Sequence, residues 1–147
     1  MASIFQSSTK TGVPPNEVTR VLLDADLAPR WTTGLERLEL IEGEPGQAGS
    51  VGHAHYLEGG RRYLLVDVLE EVTPGRYYRS RVSGGGIAAT VETTLEPVGR
   101  DATQLTVRWV GKGTNPLTRV TMALMKRQIT KRTESDLKSL RDLGEKG

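Results

Sequence analysis

The sequence predicts an α+β domain in which a seven-stranded curved antiparallel sheet wraps around one long C-terminal helix, with two short helices between the first and second strands. Three observations carry this. From Leu35 to Gly113 apolar and polar residues alternate in strand fashion, broken by Gly-Gly, Pro-Gly and Gly-Arg-Asp turns. From Pro116 to Leu143 the spacing changes to threes and fours and stays there. Between Val13 and Gly34, two short segments with helix-start chemistry interrupt the alternation.

Taken in order, Ser3 to Gly12 reads as a first strand rich in Ser and Thr, ended by Val13-Pro14-Pro15. Asn16 is the expected cap of a short helix through Val18, Val21 and Leu22 to about Asp24. A second helical turn begins at Ala28-Pro29-Arg30-Trp31, with proline near its first position, and Gly34 ends it. Strand two runs from Leu35 to Glu42, followed by a loop at Gly43-Glu44-Pro45-Gly46. Gly59-Gly60 is a two-residue hairpin signal, and it sets Glu58 opposite Arg61, Tyr56 opposite Tyr63, Ala54 opposite Leu65 and Gly52 opposite Asp67. Pro74-Gly75 makes the next reversal and pairs Glu70 with Arg79, Leu69 with Ser80 and Asp67 with Val82, unless a bulge shifts the register by one.

These registers put Ala54, Tyr56, Tyr63, Leu65, Asp67, Leu69, Tyr78, Ser80 and Val82 on one face. The opposite face carries His53, His55, Glu70, Arg79 and Arg81, with Leu64, Val66 and Val68 among them, and its charge marks it as the outer one. In the last two strands Ala89, Val91, Thr93 and Leu95, then Leu105, Val107 and Trp109, belong inside. Gly84-Gly85-Gly86 reads as a wide connection between strands, not a phosphate loop, because no helix opens after it. The final helix has its stripe at Met122, Met125, Ile129, Thr133, Asp136, Leu140 and Leu143. Leu117, Val120 and Leu124 broaden only its first half, so that half is expected to be the more deeply buried and the second to run toward solvent or the sheet edge.

Composition bounds the function. A chain of 147 residues is read as a single domain over 1–147, long enough to bury roughly 70% of its unfolded surface. The absence of cysteine excludes disulfides, thiol catalysis and cysteine-ligated zinc. The first residues lack the apolar core of a signal peptide and no apolar run is long enough for an integral membrane segment, so the expected location is cytoplasmic. The net charge of +2 comes from interleaved acids and bases, and Lys126-Arg127 and Lys131-Arg132 have Glu134 and Asp136 near them, so nucleic acid is not an expected partner.

The order of strand, two short helices, six strands and long helix resembles the helix-grip fold of the START-like (SRPBCC) superfamily. That superfamily includes polyketide cyclase/dehydrase and lipid-transport proteins and the birch-pollen-allergen family. The resemblance covers nearly the whole chain. It is carried by Asp24-Ala25-Asp26-Leu27-Ala28-Pro29-Arg30-Trp31, by Gly49-Ser50-Val51-Gly52, and by Glu70-Glu71-Val72-Thr73-Pro74-Gly75-Arg76. Thr94-Leu95-Glu96-Pro97 followed by Thr103-Gln104-Leu105-Thr106, and Ser135-Asp136-Leu137-Lys138-Ser139-Leu140, complete it. These motifs specify fold more than chemistry. The resemblance implies a cavity for lipids, sterols, polyketides or hormone-like molecules, and in some members a cyclase, aromatase or dehydratase activity. No catalytic set of a subfamily matches here residue by residue.

The expected site is one pocket between sheet and final helix. Its candidate residues are Trp31, Tyr56, Tyr63, Leu65, Asp67, Leu69, Tyr78, Ser80, Val91, Val107, Trp109, Met122, Met125 and Ile129. Tyrosines supply apolar walls with phenolic groups, and flexible methionines together with small Gly52 and Ala54 leave room. Asp67 is the candidate for chemistry, since a carboxyl among apolar residues must be paired, protonated or wetted. Either Asp67 serves as acid or base, fixes a ligand's polar end, or makes a structural hydrogen bond. His53 and His55 share a strand face but lack a third ligand at a useful spacing, so no metal or cofactor is expected.

The leading expectation is therefore a carrier or binder of a small hydrophobic molecule. The alternatives are a polyketide cyclase, aromatase or dehydratase-like enzyme using Asp67 and cavity tyrosines, and a ligand-free interaction module. In that last reading, the strip of Leu64, Val66 and Val68 forms a homodimer contact.

Overall fold

The computed structural model describes residues 3–32, 34–58, 60–84, 86–113 and 135–143. Seven strands form one curved antiparallel sheet in the order β1-β7-β6-β5-β4-β3-β2. They are β1 (Ser3–Thr11), β2 (Leu35–Glu42), β3 (Val51–Glu58), β4 (Arg61–Thr73), β5 (Tyr77–Gly84), β6 (Ile87–Val98) and β7 (Ala102–Gly113). The helices α1 (Pro15–Leu22) and α2 (Ala28–Trp31) lie between β1 and β2, and residues 135–143 are helical. Most of the expected long helix, including Met122, Met125, Ile129 and Thr133, falls outside the described residues.

α1 starts two residues earlier than expected. Pro14 is its cap residue, Pro15 stands at the first helical position, and Asn16 lies inside the first turn. Proline does this because its fixed φ is already helical and its missing N–H is one the helix end leaves unused. The segment before it is held to the sheet by β1 and its neighbour β7: the Thr103 hydroxyl donates to the Val13 carbonyl at 2.8 Å and the Thr11 hydroxyl donates to the same oxygen at 3.1 Å.

The β3–β4 register is the expected one, with Glu58 opposite Arg61, Tyr56 opposite Tyr63, Ala54 opposite Leu65 and Gly52 opposite Asp67. In β4–β5 Leu69 pairs with Ser80 and Asp67 with Val82, but Arg79 pairs with Glu71 and not with Glu70. A register shift between Leu69 and Glu71 is the cause. The extra residue keeps both glutamates outside, where Glu70 and Glu71 bracket the Arg79 guanidinium at 4.0 and 3.5 Å. It also returns Val72 to the inner face opposite Tyr78. The Gly-rich connection is tight, not wide: Gly84 pairs with Ile87, leaving two residues in the turn, and Gly86 has φ +82°. Only glycine takes that conformation without strain.

The interior has a packed end and a sparse end. At the packed end Leu69, Tyr78, Leu95 and Leu105 of the sheet meet Val18 and Val21 of α1 and Leu137 and Leu140 of the C-terminal helical segment. Leu137 and Leu140 are each 2% exposed, so of the two courses expected for the end of this helix, solvent or the sheet edge, the solvent one is overturned. Leu137 stands beside the expected stripe and widens its apolar face to meet the sheet. Among the described residues the buried cluster at the sparse end is Ala28, Leu35 and Ala54, flanked by Leu38, Tyr56 and Leu65.

Candidate functional site

The sparse end opens into a hollow of about 810 Å³ between the concave face, α1, α2 and the C-terminal helical segment. Strand pairing explains the room. One row across the inner face runs Leu40, Gly52, Asp67, Val82, Ala89 and Gly111, each opposite the next. Gly52, Ala89 and Gly111 give this row little bulk. The next row, Leu69, Ser80, Val91 and Trp109, is larger, and the Trp109 ring lies over Gly111 where any side chain would collide with it.

Trp31, Tyr56, Tyr63, Leu65, Asp67, Leu69, Tyr78, Ser80, Val91, Val107 and Trp109 all line this hollow. Met122, Met125 and Ile129 lie outside the described residues. Leu22, Leu23, Ala28, Leu35, Leu38, Thr93, Asp136, Leu137 and Leu140 line it as well. Asp136 had a readable signal, a carboxylate set in an apolar helical stripe. Leu35 and Leu38 were hidden because a register shift between Leu35 and Arg37 breaks the alternation of β2.

Asp67 is the half-buried carboxyl of the floor. Burial pushes its carboxyl above the ordinary carboxylate range, and a hydrogen bond from the Ser80 hydroxyl partly offsets this. Ser80 is diagonal to Asp67 across β4–β5, two residues from the directly opposed Val82. Tyr78 is differently committed: its hydroxyl accepts the Gly75 N–H at 3.0 Å and so ties the inner face to the β4–β5 turn. Tyr56 and Tyr63 stack face to face with centroids 5.1 Å apart and planes within 5°. At the α2 side, the Trp31 indole Nε1 is buried and has no hydrogen-bond partner among the described residues. A donor left in that state costs about 1–3 kcal/mol until an acceptor reaches it.

The outer face is a network of exposed polar pairs. His55 Nε2 lies 3.2 Å from both Arg37 Nη2 and Glu39 Oε1, and the His55 hydrogen bond, with Arg37 beside it, holds the Glu39 carboxyl below its ordinary range. The Tyr77 hydroxyl donates to Glu92 at 2.7 Å and Arg108 donates to the same carboxylate at 3.1 Å. Of the apolar strip, Leu64 is exposed while Val66 and Val68 are half-buried. Among the described residues no group of three His, Cys, Asp or Glu side chains is arranged to hold a metal ion, and none of their helices is long and apolar enough to cross a membrane.

Fold and pocket place the molecule in the helix-grip class. The chain belongs to the family described as polyketide cyclase / dehydrase and lipid transport, whose match spans residues 2–145. Among solved structures, a conserved protein from Geobacillus kaustophilus superposes with a TM-score of 0.82 at 18% identity, covering 98% of this chain and 96% of that one. The ZhuI aromatase/cyclase from Streptomyces sp. R1128 gives 0.81 at 17% identity, covering 99% and 94%. Norcoclaurine synthase from Thalictrum flavum, in complex with dopamine and hydroxybenzaldehyde, gives 0.67 at 14% identity, covering 97% and 86%. At these identities the likeness is one of fold. No curated protein matches the chain.

Proposed function

We propose that this protein binds and carries a small, largely apolar molecule between the concave sheet face and the helices. The observation behind this reading is the hollow of about 810 Å³ with a floor of small residues and walls of Leu, Val, Tyr and Trp. That volume lies in the range of sites for small organic ligands, which are mostly apolar with a few placed polar groups. Here those groups are Asp67 with Ser80 on the floor and the Trp31 N–H on the α2 side. The family supports the same reading, since its description includes lipid transport.

A cyclase or dehydratase would need titratable groups converging on one substrate atom. Asp67 is hydrogen-bonded by Ser80, which does not titrate near neutral pH, and the Tyr78 hydroxyl is engaged with the Gly75 backbone. Binding is therefore the better-supported function. Native mass spectrometry of protein purified from its own host should show a retained small molecule, and the neutral dye N-phenyl-1-naphthylamine should brighten on binding. Val82→Trp, which puts an indole beside Asp67, should abolish both while the protein stays folded. Undiminished dye binding in that variant would place the ligand elsewhere.

A further inference from the structure

We infer that the cavity selects apolar ligands bearing a hydrogen-bond donor, a hydroxyl or an ammonium, and rejects carboxylates, with Asp67 as the specificity-determining residue. This rests on the binding reading above and gives its ligand a chemical class. The argument is one of unmet hydrogen-bonding capacity. A carboxylate offers about four acceptor positions, and Asp67 receives a side-chain hydrogen bond from Ser80. Its direct neighbours across the strands are Gly52 on one side, which has no side chain, and Val82 on the other, which has no polar atom. Gly52 and Asp67 both line the hollow, so the carboxyl borders it on that flank.

Charge around the hollow points the same way. Its described lining includes the acids Glu39, Asp67 and Asp136 and one base, Arg61. Arg61 is six residues from Asp67 on the same strand, roughly 20 Å along β4, too far to neutralise it. Glu39 is turned toward Arg37 and His55. A ligand carboxylate would bring a second negative charge next to Asp67 in a site lined mostly by apolar side chains. A hydroxyl or ammonium would instead supply a donor beyond Ser80, the side-chain donor Asp67 has among the described residues.

The test uses three probes with one apolar skeleton: 2-naphthol, 2-(aminomethyl)naphthalene and 2-naphthoate. Each displaces N-phenyl-1-naphthylamine from the full-length chain at pH 7.5. The wild-type protein should bind the better of the two donor probes at least about tenfold more tightly than naphthoate, the scale of one hydrogen bond to a charged group. In Asp67→Asn, and in Asp67→Ser as a smaller neutral replacement, that preference should shrink to within about threefold. Whichever donor binds better then shows whether the natural ligand is an alcohol-type or an amine-type molecule. Naphthoate binding as tightly as both donors, or a preference unchanged in both variants, overturns the assignment of Asp67 and leaves the cavity reading standing. Failure of the wild-type protein to bind the dye or any probe would remove the cavity reading and this inference with it.

Discussion

Asp67 links the chemistry of the site to the stability of the fold. Its carboxyl titrates above the ordinary range in the folded protein because burial disfavours the charge, whereas in the unfolded chain it titrates near 3.9. Between those two values the folded state keeps a proton that the unfolded state has lost. Stability therefore falls as pH rises through that window and stays lowered above it. Asp67→Asn retains a group able to accept from Ser80 but has nothing to ionise. Its stability relative to wild type should be lowest near pH 3.5, rise through the window and level off above it, as read from urea midpoints at constant slope. Glu39 and Glu92, held below their ordinary range by His55 and by Tyr77, titrate in the opposite sense, but they do so in both proteins and cancel in the comparison. A difference independent of pH would mean that the carboxylate is stabilised by more than the Ser80 bond. The position of Asp67 was legible in the sequence because Gly59-Gly60 sets the hairpin and two-residue periodicity does the rest. The commitment of Tyr78 to Gly75 and the lone indole N–H of Trp31 were not, since neither a turn amide's partner nor a missing one leaves a mark in one-dimensional spacing.

Strand signals were readable wherever a turn had a fixed geometry, and they failed where a single residue was inserted. The bulge at Glu70 moves Arg79 from Glu70 to Glu71, and a pattern of two adjacent glutamates fits either register. The shift in β2 similarly concealed Leu35 and Leu38. Helical spacing carried the end of the chain only in part, because it identified Leu140 but not Leu137, which completes the apolar face against the sheet. The two ends of the interior should respond differently to truncation. Leu105 of β7 is fully buried against Leu95 and the helices, so Leu105→Ala should cost about 2–5 kcal/mol through lost burial and a new void. Leu65 of β4 already borders the hollow and is half-buried, so Leu65→Ala should cost only about 1–2 kcal/mol. Denaturant unfolding of both variants checks this. Equal losses would mean that the β3–β4 end is as tightly packed as the β6–β7 end.

Across the whole molecule the same asymmetry sets up a gradient of local stability. The packed end joins β4 to β7 to α1 and the C-terminal helical segment through eight buried residues, including Leu95, Leu105 and Leu140. Among the described residues the other end relies on Ala28, Leu35 and Ala54, two of which are alanines. β2 is a sheet edge there, with Leu40 45% and Ile41 49% exposed. Elements with few buried apolar contacts open locally at a fraction of the global cost. Amide exchange in the ligand-free protein should therefore be slowest in β6 and β7 and much faster in α2, β2 and the β3 amides that bond to β2. A ligand seated between Asp67 and Trp31 joins the floor of the hollow to α2 and lies beside Leu35, Leu38 and Ala54 of β2 and β3. Linkage adds about 2.7 kcal/mol when free ligand stands at a hundred times its dissociation constant. That stabilisation should appear first as slower exchange in α2, β2 and β3, because a ligand bridging those elements closes openings that leave β6 and β7 intact. Protection that rises equally in every strand would show that the molecule opens only as a whole. Protection that rises first in β6 and β7 would place the ligand away from the α2 side.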